Sequence, residues 1–197
     1  MKHVGENKLA RRLVTFVTAV AACVALCAGG TLAYFSANET AHNVITTGGV
    51  GIELVEWGDL ERTTPFESTE GVMPGESVVK VVEVVNDGQA PAWVRIKADM
   101  ALEHADGTAA EASDVEQIIT IDFDTVKWTL KDGWWHYNEI LPAGETTSPL
   151  FQHVIFAGPE MGNAYQGCEV TVDVAAQAVQ SDNNGSSALE AAGWPAE

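Results

Sequence analysis

Residues 93–100 read Trp93-Val94-Arg95-Ile96-Lys97-Ala98-Asp99-Met100, so that apolar and polar side chains alternate. Successive side chains of a β-strand point to opposite faces, and this period of two therefore predicts a half-buried strand. The valine-rich stretch 76–85 lies just before it and is typical of a strand that is buried on both faces. Asn86-Asp87-Gly88 between them favours a turn. Together the two stretches predict a β protein.

Further strand patterns continue this organisation on both sides. They cover residues 51–57, 118–123, 126–130, 134–137, 150–156 and 168–179. Lys131-Asp132-Gly133 predicts a hairpin turn between two of them. Helical patterns are limited to residues 109–117 and 187–192. Many short strands with few helices predict an all-β fold, an antiparallel β-sandwich of the jelly-roll type with one or two short helices.

The first 33 residues have the order of a secretory signal peptide. Four basic residues precede an uncharged apolar run over 13–28, and Gly29-Gly30 follows. We expect cleavage after Ala33, so that the mature chain begins at Tyr34; a cut after Ala37 is the alternative. An uncleaved membrane anchor over 13–35 is a second interpretation of the segment, because about 20 apolar residues span a bilayer. A lipoprotein cleavage box ending at Cys23 is a third.

The segment order predicts four parts: a signal peptide (1–33), an N-terminal arm (34–47), a β-sandwich domain (48–180) and a loose C-terminal tail (181–197). The whole chain has a formal net charge of −18. The expected signal peptide removes four basic residues and one acid, so that the mature chain carries 6 basic and 27 acidic groups, a charge of −21. Such a surface repels nucleic acid and anionic lipid, which excludes both as partners.

Sequence motifs for catalysis are missing from the mature chain. Cys168 is its one cysteine, which rules out an internal disulfide and is expected to be a buried thiol. The histidines lack the spacing of a helical zinc site, and no nucleophile elbow or phosphate-binding glycine loop occurs. We therefore expect no enzyme activity and assign no catalytic, cofactor or metal residue. Asp122 and Asp124 would share one strand face, where they could hold calcium or simply be solvated.

Adjacent tryptophans give one further expectation. Trp134 and Trp135 lie on the same predicted strand, so that their side chains point to opposite faces. One of the two should face outward, where it could contact a sugar or a partner subunit, or else pack under a loop.

Three blocks of the chain resemble the TasA/camelysin family of bacterial exported proteins. The first, GGTLAYFSANETAHNVITTGGVGIELVE over 29–56, resembles the region in which a SipW-type signal peptidase cuts near an alanine–aromatic pair and a short arm precedes the first strand. The blocks MPGESVVKVVEVVNDGQAPAWVRIKADM over 73–100 and VTVDVAAQAVQSDN over 170–183 resemble later strands of the family.

This resemblance implies a jelly-roll subunit of extracellular or biofilm matrix fibres that is secreted to the matrix or the cell surface. In such fibres the N-terminal arm of one subunit completes the sheet of the next, by donor-strand exchange. The resemblance implies a donor arm that includes Tyr34, Phe35, Ala37, Ala41 and Val44. The expected partners are other copies of the chain and further matrix or cell-envelope components. The alternatives are a non-polymerising surface adhesin or ligand-binding module and a camelysin-like secreted metalloendopeptidase.

Overall fold

The structure, a computed structural model, describes residues 36–38, 43–46, 50–158 and 160–196; for the first two ranges it describes the backbone alone. The predicted signal peptide and the arm residues Tyr34, Phe35 and Ala41 lie outside the described residues. Eleven strands, one α-helix and one short 3-10 helix over Asn163–Tyr165 are described. The strands are β1 (Ser36–Asn38), β2 (Asn43–Thr46), β3 (Glu53–Trp57), β4 (Thr69–Glu70), β5 (Ser77–Val85), β6 (Ala92–Glu103), β7 (Ile119–Ile121), β8 (Trp128–Lys131), β9 (Trp134–Tyr137), β10 (Phe151–Phe156) and β11 (Glu169–Gln180).

The strands form two sheets, which confirms the predicted all-β sandwich. The larger sheet has the order β4-β1-β11-β6-β9-β8, and β2 also pairs with β11. The smaller sheet has the order β3-β5-β10-β7. Every pairing between described strands is antiparallel except those of β1 and β2 with β11, which are parallel. Parallel pairing of the first strands with the last is a feature that the sequence patterns did not predict.

The core lies between the two sheets and follows the alternation predicted from the sequence. Val82 and Val84 of β5 are fully buried, and they share one hydrophobic cluster with Val94 and Ile96 of β6. Every second residue of β11 from Val170 to Ala178 joins the same cluster. The face of β6 that carries Arg95 points away from this core, as expected for a half-buried strand.

An ion pair is buried in this core. Glu56 of β3 and Lys80 of β5 occupy inward positions. The Lys80 Nζ lies 3.0 Å from the Glu56 Oε2, and the Glu56 side chain is 4% exposed and the Lys80 side chain 2% exposed. The same ammonium lies 4.2 Å from the centre of the Phe66 ring. The Nζ makes no well-aligned hydrogen bond, so that charge attraction holds the contact. Both charges are therefore shielded from solvent.

Helical structure is sparse. The first predicted helix is found as α1 (Ala112–Ile118), which buries Val115 and Ile118. No helix forms over 187–192, where the backbone makes turns, so that prediction was wrong. Within the described part of the chain, no helix has both the length and the apolar character that a membrane crossing needs.

The C-terminal segment is packed against the larger sheet, and the prediction of a loose tail was wrong. The Trp93 indole N–H donates to the backbone carbonyl of Asn184 at 2.8 Å. The Asn184 side chain in turn bonds the backbone of Ala192 in both directions. Trp93, Val179 and Ala188 form a second small hydrophobic cluster on the outer face of the sheet. Apolar side chains on that face need a cover, and residues 181–196 supply it.

Candidate functional site at the edge of the last strand

The N-terminal arm lies along one edge of β11. The backbone of Ser36–Asn38 pairs with Glu169–Thr171, and that of Asn43–Thr46 pairs with residues 175–178. The opposite edge of β11 is paired with β6 at all positions from Glu169 to Gln180. The arm is therefore what covers the second edge of this strand among the described residues.

Strand β1 is inserted between two other strands and does not simply lie at the margin of the sheet. One edge pairs parallel with β11, while the other pairs antiparallel with β4, where Ser36 lies opposite Glu70 and Ala37 opposite Thr69. If β1 left its place, a gap one strand wide would open between β4 and β11. Backbone N–H and C=O groups on both sides of that gap would lose their partners.

Two of the predicted arm residues can be placed. Ala37 lies opposite Val170, and Val44 lies opposite Ala176; both partners belong to the inward face of β11. The structure thus brings these two positions to one strand edge. It does not describe Ala33, Tyr34, Phe35 or Ala41, so that the cleavage site and the start of the arm stay predictions.

A cysteine–histidine pair that the sequence analysis missed lies at the end of the same strand. The Cys168 Sγ lies 3.5 Å from the His104 Nδ1, and the Tyr165 ring stacks on the imidazole with its centre 6.0 Å away. Cys168 is buried, as predicted, and burial raises the pKa of its thiol. Burial therefore favours the neutral thiol over the thiolate, which is the more nucleophilic form.

The signal that could have found this pair is strand pairing. His104 directly follows β6 and Cys168 directly precedes β11, and the two strands pair with Glu103 opposite Glu169. The residues are therefore neighbours in space despite their distance in sequence.

The two candidate calcium residues, Asp122 and Asp124, accept hydrogen bonds from different parts of the chain. Strand β7 ends at Ile121, so that Asp122 and Asp124 lie in the irregular segment after it rather than on one strand face. Asp122 accepts hydrogen bonds from the backbone N–H groups of Gln152 and His153, and its Oδ2 lies 2.8 Å from the His153 Nδ1. Burial raises the pKa of Asp122, but these bonds outweigh it, and the net effect lowers that pKa.

The outward-facing tryptophan is covered by the C-terminal segment. Trp134 is only 5% exposed, because the Arg95 guanidinium lies 4.4 Å from its ring and 4.5 Å from the ring of Trp194 on the other side. His136 is buried beside them; burial lowers its pKa, and the positive charge of Arg95 lowers it further. The other tryptophan of the pair, Trp135, stacks on Phe123 and packs against the core. This cluster leaves no open sugar-binding surface at Trp134.

Comparison with known proteins gives a family match. A family model described as camelysin metallo-endopeptidase matches residues 8–128, more than half of the chain. No curated protein and no solved structure matches the chain.

The family description implies a catalytic metal, and the described residues do not fit one. Over 36–38, 43–46, 50–158 and 160–196, no group of three or more His, Cys, Asp or Glu side chains converges as metal ligands would. Cys168 with His104 and Asp122 with His153 are pairs only, and they lie on different parts of the sandwich. Catalytic zinc sites use three protein ligands. No catalytic step is therefore derived through a metal.

Proposed function

We propose that the chain, which belongs to the TasA/camelysin family, is a secreted structural subunit of extracellular matrix fibres that joins its neighbours through the N-terminal arm. The observation that carries this proposal is the place of β1 between β4 and β11. Strand β1, which with β2 belongs to the N-terminal arm, fills a gap in a sheet whose other described members come from the domain itself.

Exchange of the arm between copies conserves its contacts. The hydrogen bonds that Ser36–Asn38 and Asn43–Thr46 make along β11 of their own chain are available in the same form on β11 of another copy. A monomer satisfies them internally, since a tethered arm has an effective concentration in the millimolar range. At high local concentration, each arm can enter the next copy, and repetition of this step builds a filament.

Charge sets the conditions for assembly. Mature subunits of charge −21 repel one another at neutral pH and low salt. Protonation of carboxylates near pH 4–5, or screening by salt or calcium, weakens that repulsion. We therefore expect more fibres on acidification and with added calcium. Calcium acts here as a counter-ion and needs no dedicated site.

The first experiment is negative-stain electron microscopy of the mature chain, residues 34–197, across pH and salt. Filaments are expected for this chain, and a variant that lacks residues 34–45 should form none. An adhesin or a peptidase would form no filaments at all. Filaments from the shortened variant would contradict assembly through the arm.

A mixed cross-linking experiment tests the exchange directly. One preparation carries Asn38→Cys, a second carries Thr171→Cys, and both carry Cys168→Ala. Asn38 and Thr171 are paired in the parallel register, within the spacing that a disulfide spans. Fibres grown from the mixture should give disulfide-linked dimers on oxidation.

The matched control replaces Thr171→Cys by Asp173→Cys, two positions further along the exposed side of β11. At about 3.3 Å per residue this position is too far along the strand for the bond. Fibres from the first mixture without any linked dimer would refute the exchange, whereas equal linkage in the control would show that contact is non-specific.

A further inference from the structure

Residues 181–196 form a segment without helix or strand that lies across the outer face of the larger sheet. Hydrogen bonds join it to that face: the Trp93 indole N–H donates to the Asn184 carbonyl at 2.8 Å, and the Lys131 Nζ donates to the Leu189 carbonyl at 3.2 Å. Most side chains of the segment are exposed or half-exposed. A segment that buries few side chains and adds no strand opens at a lower free energy than the sheet beneath it.

A row of side chains crosses the sheet beneath the end of this segment. Directly opposite positions are occupied by Gln177 of β11, Arg95 of β6, His136 of β9 and Thr129 of β8, so that all four lie on the outer face. The Trp194 ring lies over the middle of the row. Its centre is 4.5 Å from the Arg95 guanidinium and 5.8 Å from the centre of the His136 ring, in an edge-to-face arrangement.

The surroundings of His136 favour its neutral form. The residue is only 5% exposed, and its Nδ1 lies 3.2 Å from the Trp134 carbonyl. Burial lowers the pKa of the imidazole below its ordinary value of 6.5, and the positive charges of Arg95 and Lys131 lower it further, although hydrogen bonding to the backbone opposes them. A proton on this ring would add a third positive charge to the group.

The covering segment carries an acid, but other groups bind it. The Glu190 Oε2 accepts a hydrogen bond from the Ser186 Oγ at 2.6 Å. The bonds from Ser186 lower the pKa of Glu190, and the charge of Lys131 lowers it further. Uncharged side chains also face His136 from β8 and from the segment, namely Thr129 and Trp194. Within the described part of the chain, the charges that act on His136 are therefore positive.

We propose that residues 181–196 form a proton-operated cover, in which protonation of His136 releases the segment from the sheet. The covered state would confine an imidazolium beside a guanidinium, whereas the open state hydrates both. The cover is therefore fully stable above the ordinary histidine pKa of 6.5 and loses stability as pH falls below that value. Acidification thereby exposes the sheet face that carries Trp93 and Arg95. This inference does not depend on fibre assembly.

The test measures hydrogen exchange by NMR in the mature chain, residues 34–197. Samples are dilute, are checked as monomers by analytical ultracentrifugation, and span about pH 5 to pH 7.5, where histidine titrates and ordinary carboxylates stay mostly ionised. The reporter is the Trp93 indole N–H, which the segment binds through Asn184. Its protection factor should fall by about 3- to 30-fold from the upper to the lower end of this range. The backbone N–H of Ile96, a fully buried residue of β6, should keep its protection.

Two variants separate His136 from the other titrating groups. His136→Gln removes the proton site, and the Trp93 indole should then be equally protected at both ends of the pH range. The matched control is His153→Gln, which removes a histidine from β10 of the smaller sheet and should keep the wild-type fall.

A titration of His136 itself tests the cover without changing that residue. Its pKa should lie below 6.5 in the wild type and should rise towards 6.5 in Trp194→Ala, because removal of the indole admits water to the imidazole. This measurement decides the question if His136→Gln does not fold.

The inference fails if the protection of the Trp93 indole in the wild type is the same at both ends of the pH range, or if folded His136→Gln loses as much protection as the wild type. It also fails if the pKa of His136 is the same in the wild type and in Trp194→Ala. An equal loss of protection at Ile96 would assign the change to opening of the whole sheet, which overturns the inference as well.

Discussion

Loss of either Glu56 or Lys80 alone should strongly lower the free energy of unfolding of the sandwich, because the remaining charge would be buried without its partner. At 3.0 Å and an effective dielectric constant of about 20, the two charges attract by about 5 kcal/mol. Lys80→Met removes that attraction and leaves a carboxylate that is shielded from water. Loss of one partner of a buried pair costs about 3–5 kcal/mol. For a domain of this size that cost lowers Tm by roughly 10–15 °C.

The design is a double-mutant cycle measured by urea unfolding, with Lys80→Met, Glu56→Leu and the combined variant. The combined variant should recover most of the lost free energy of unfolding, because neither charge is then buried alone and the new side chains fill the space. The exposed pair of Lys127 and Glu139 is the control. Its Nζ–Oε1 distance is shorter, 2.7 Å, but water screens it, so that Lys127→Met should give no measurable change.

Three outcomes would refute this reasoning. Single variants that lose less than about 1 kcal/mol would show that water reaches the pair or that the core rearranges around it. A combined variant whose loss equals the sum of the two single losses would show that the charges are not coupled. A loss at Lys127→Met as large as that at Lys80→Met would show that distance, rather than burial, decides the contribution.

Three further predictions follow from features described above. N-terminal sequencing of the secreted protein should begin between Tyr34 and Asn38, and recovery of residues 13–28 in the membrane fraction would establish the anchor instead. Trp194→Ala should lower the free energy of unfolding by about 1–2 kcal/mol, because it uncovers the Arg95 guanidinium and the apolar cluster beneath it; unchanged urea unfolding would show that the C-terminal cover contributes little. The pKa of Asp122 is lower in the folded protein than its ordinary value of 3.8, so the contribution of ionised Asp122 to the free energy of unfolding should be complete above pH 3.8. That contribution should be lost as pH falls through the pKa of Asp122 in the folded protein. The stability gap between the wild type and Asp122→Asn should therefore shrink only below about pH 4, and a gap that is constant down to pH 2 would contradict this.

Local sequence patterns were sufficient to predict most strands, but they did not predict which segments pack over those strands. The alternation over 93–100 predicted β6, which extends over Ala92–Glu103, because burial of one sheet face imposes a period of two on the residues themselves. The same alternation indicates that Arg95 faces outward but carries no information on its neighbours. Its place between Trp134 and Trp194 depends on how residues 181–196 return across the sheet.

Long-range pairings account for the rest of what the sequence analysis missed. The contact of Cys168 with His104 requires the register of β6 against β11, which no local pattern encodes. The parallel pairing of the arm is a similar case, since a short polar segment such as residues 36–38 has no periodicity of its own. The resemblance to a known family indicated the arm, and the backbone pairing shows its intramolecular partner.

If the chain is secreted as proposed, the pairing of β1 with β11 also has a consequence for the order of events during export. Ser36 and Glu169 are partners although about 130 residues separate them, so that the contact closes nearly the whole mature chain into one loop. In a chain translocated from its N-terminus, the arm emerges first and its partner strand emerges last. Throughout translocation the arm of a nascent subunit has no strand of its own to bind. A completed subunit with an open β11, waiting outside the membrane, would therefore meet the new arm before that arm's own partner has left the cell.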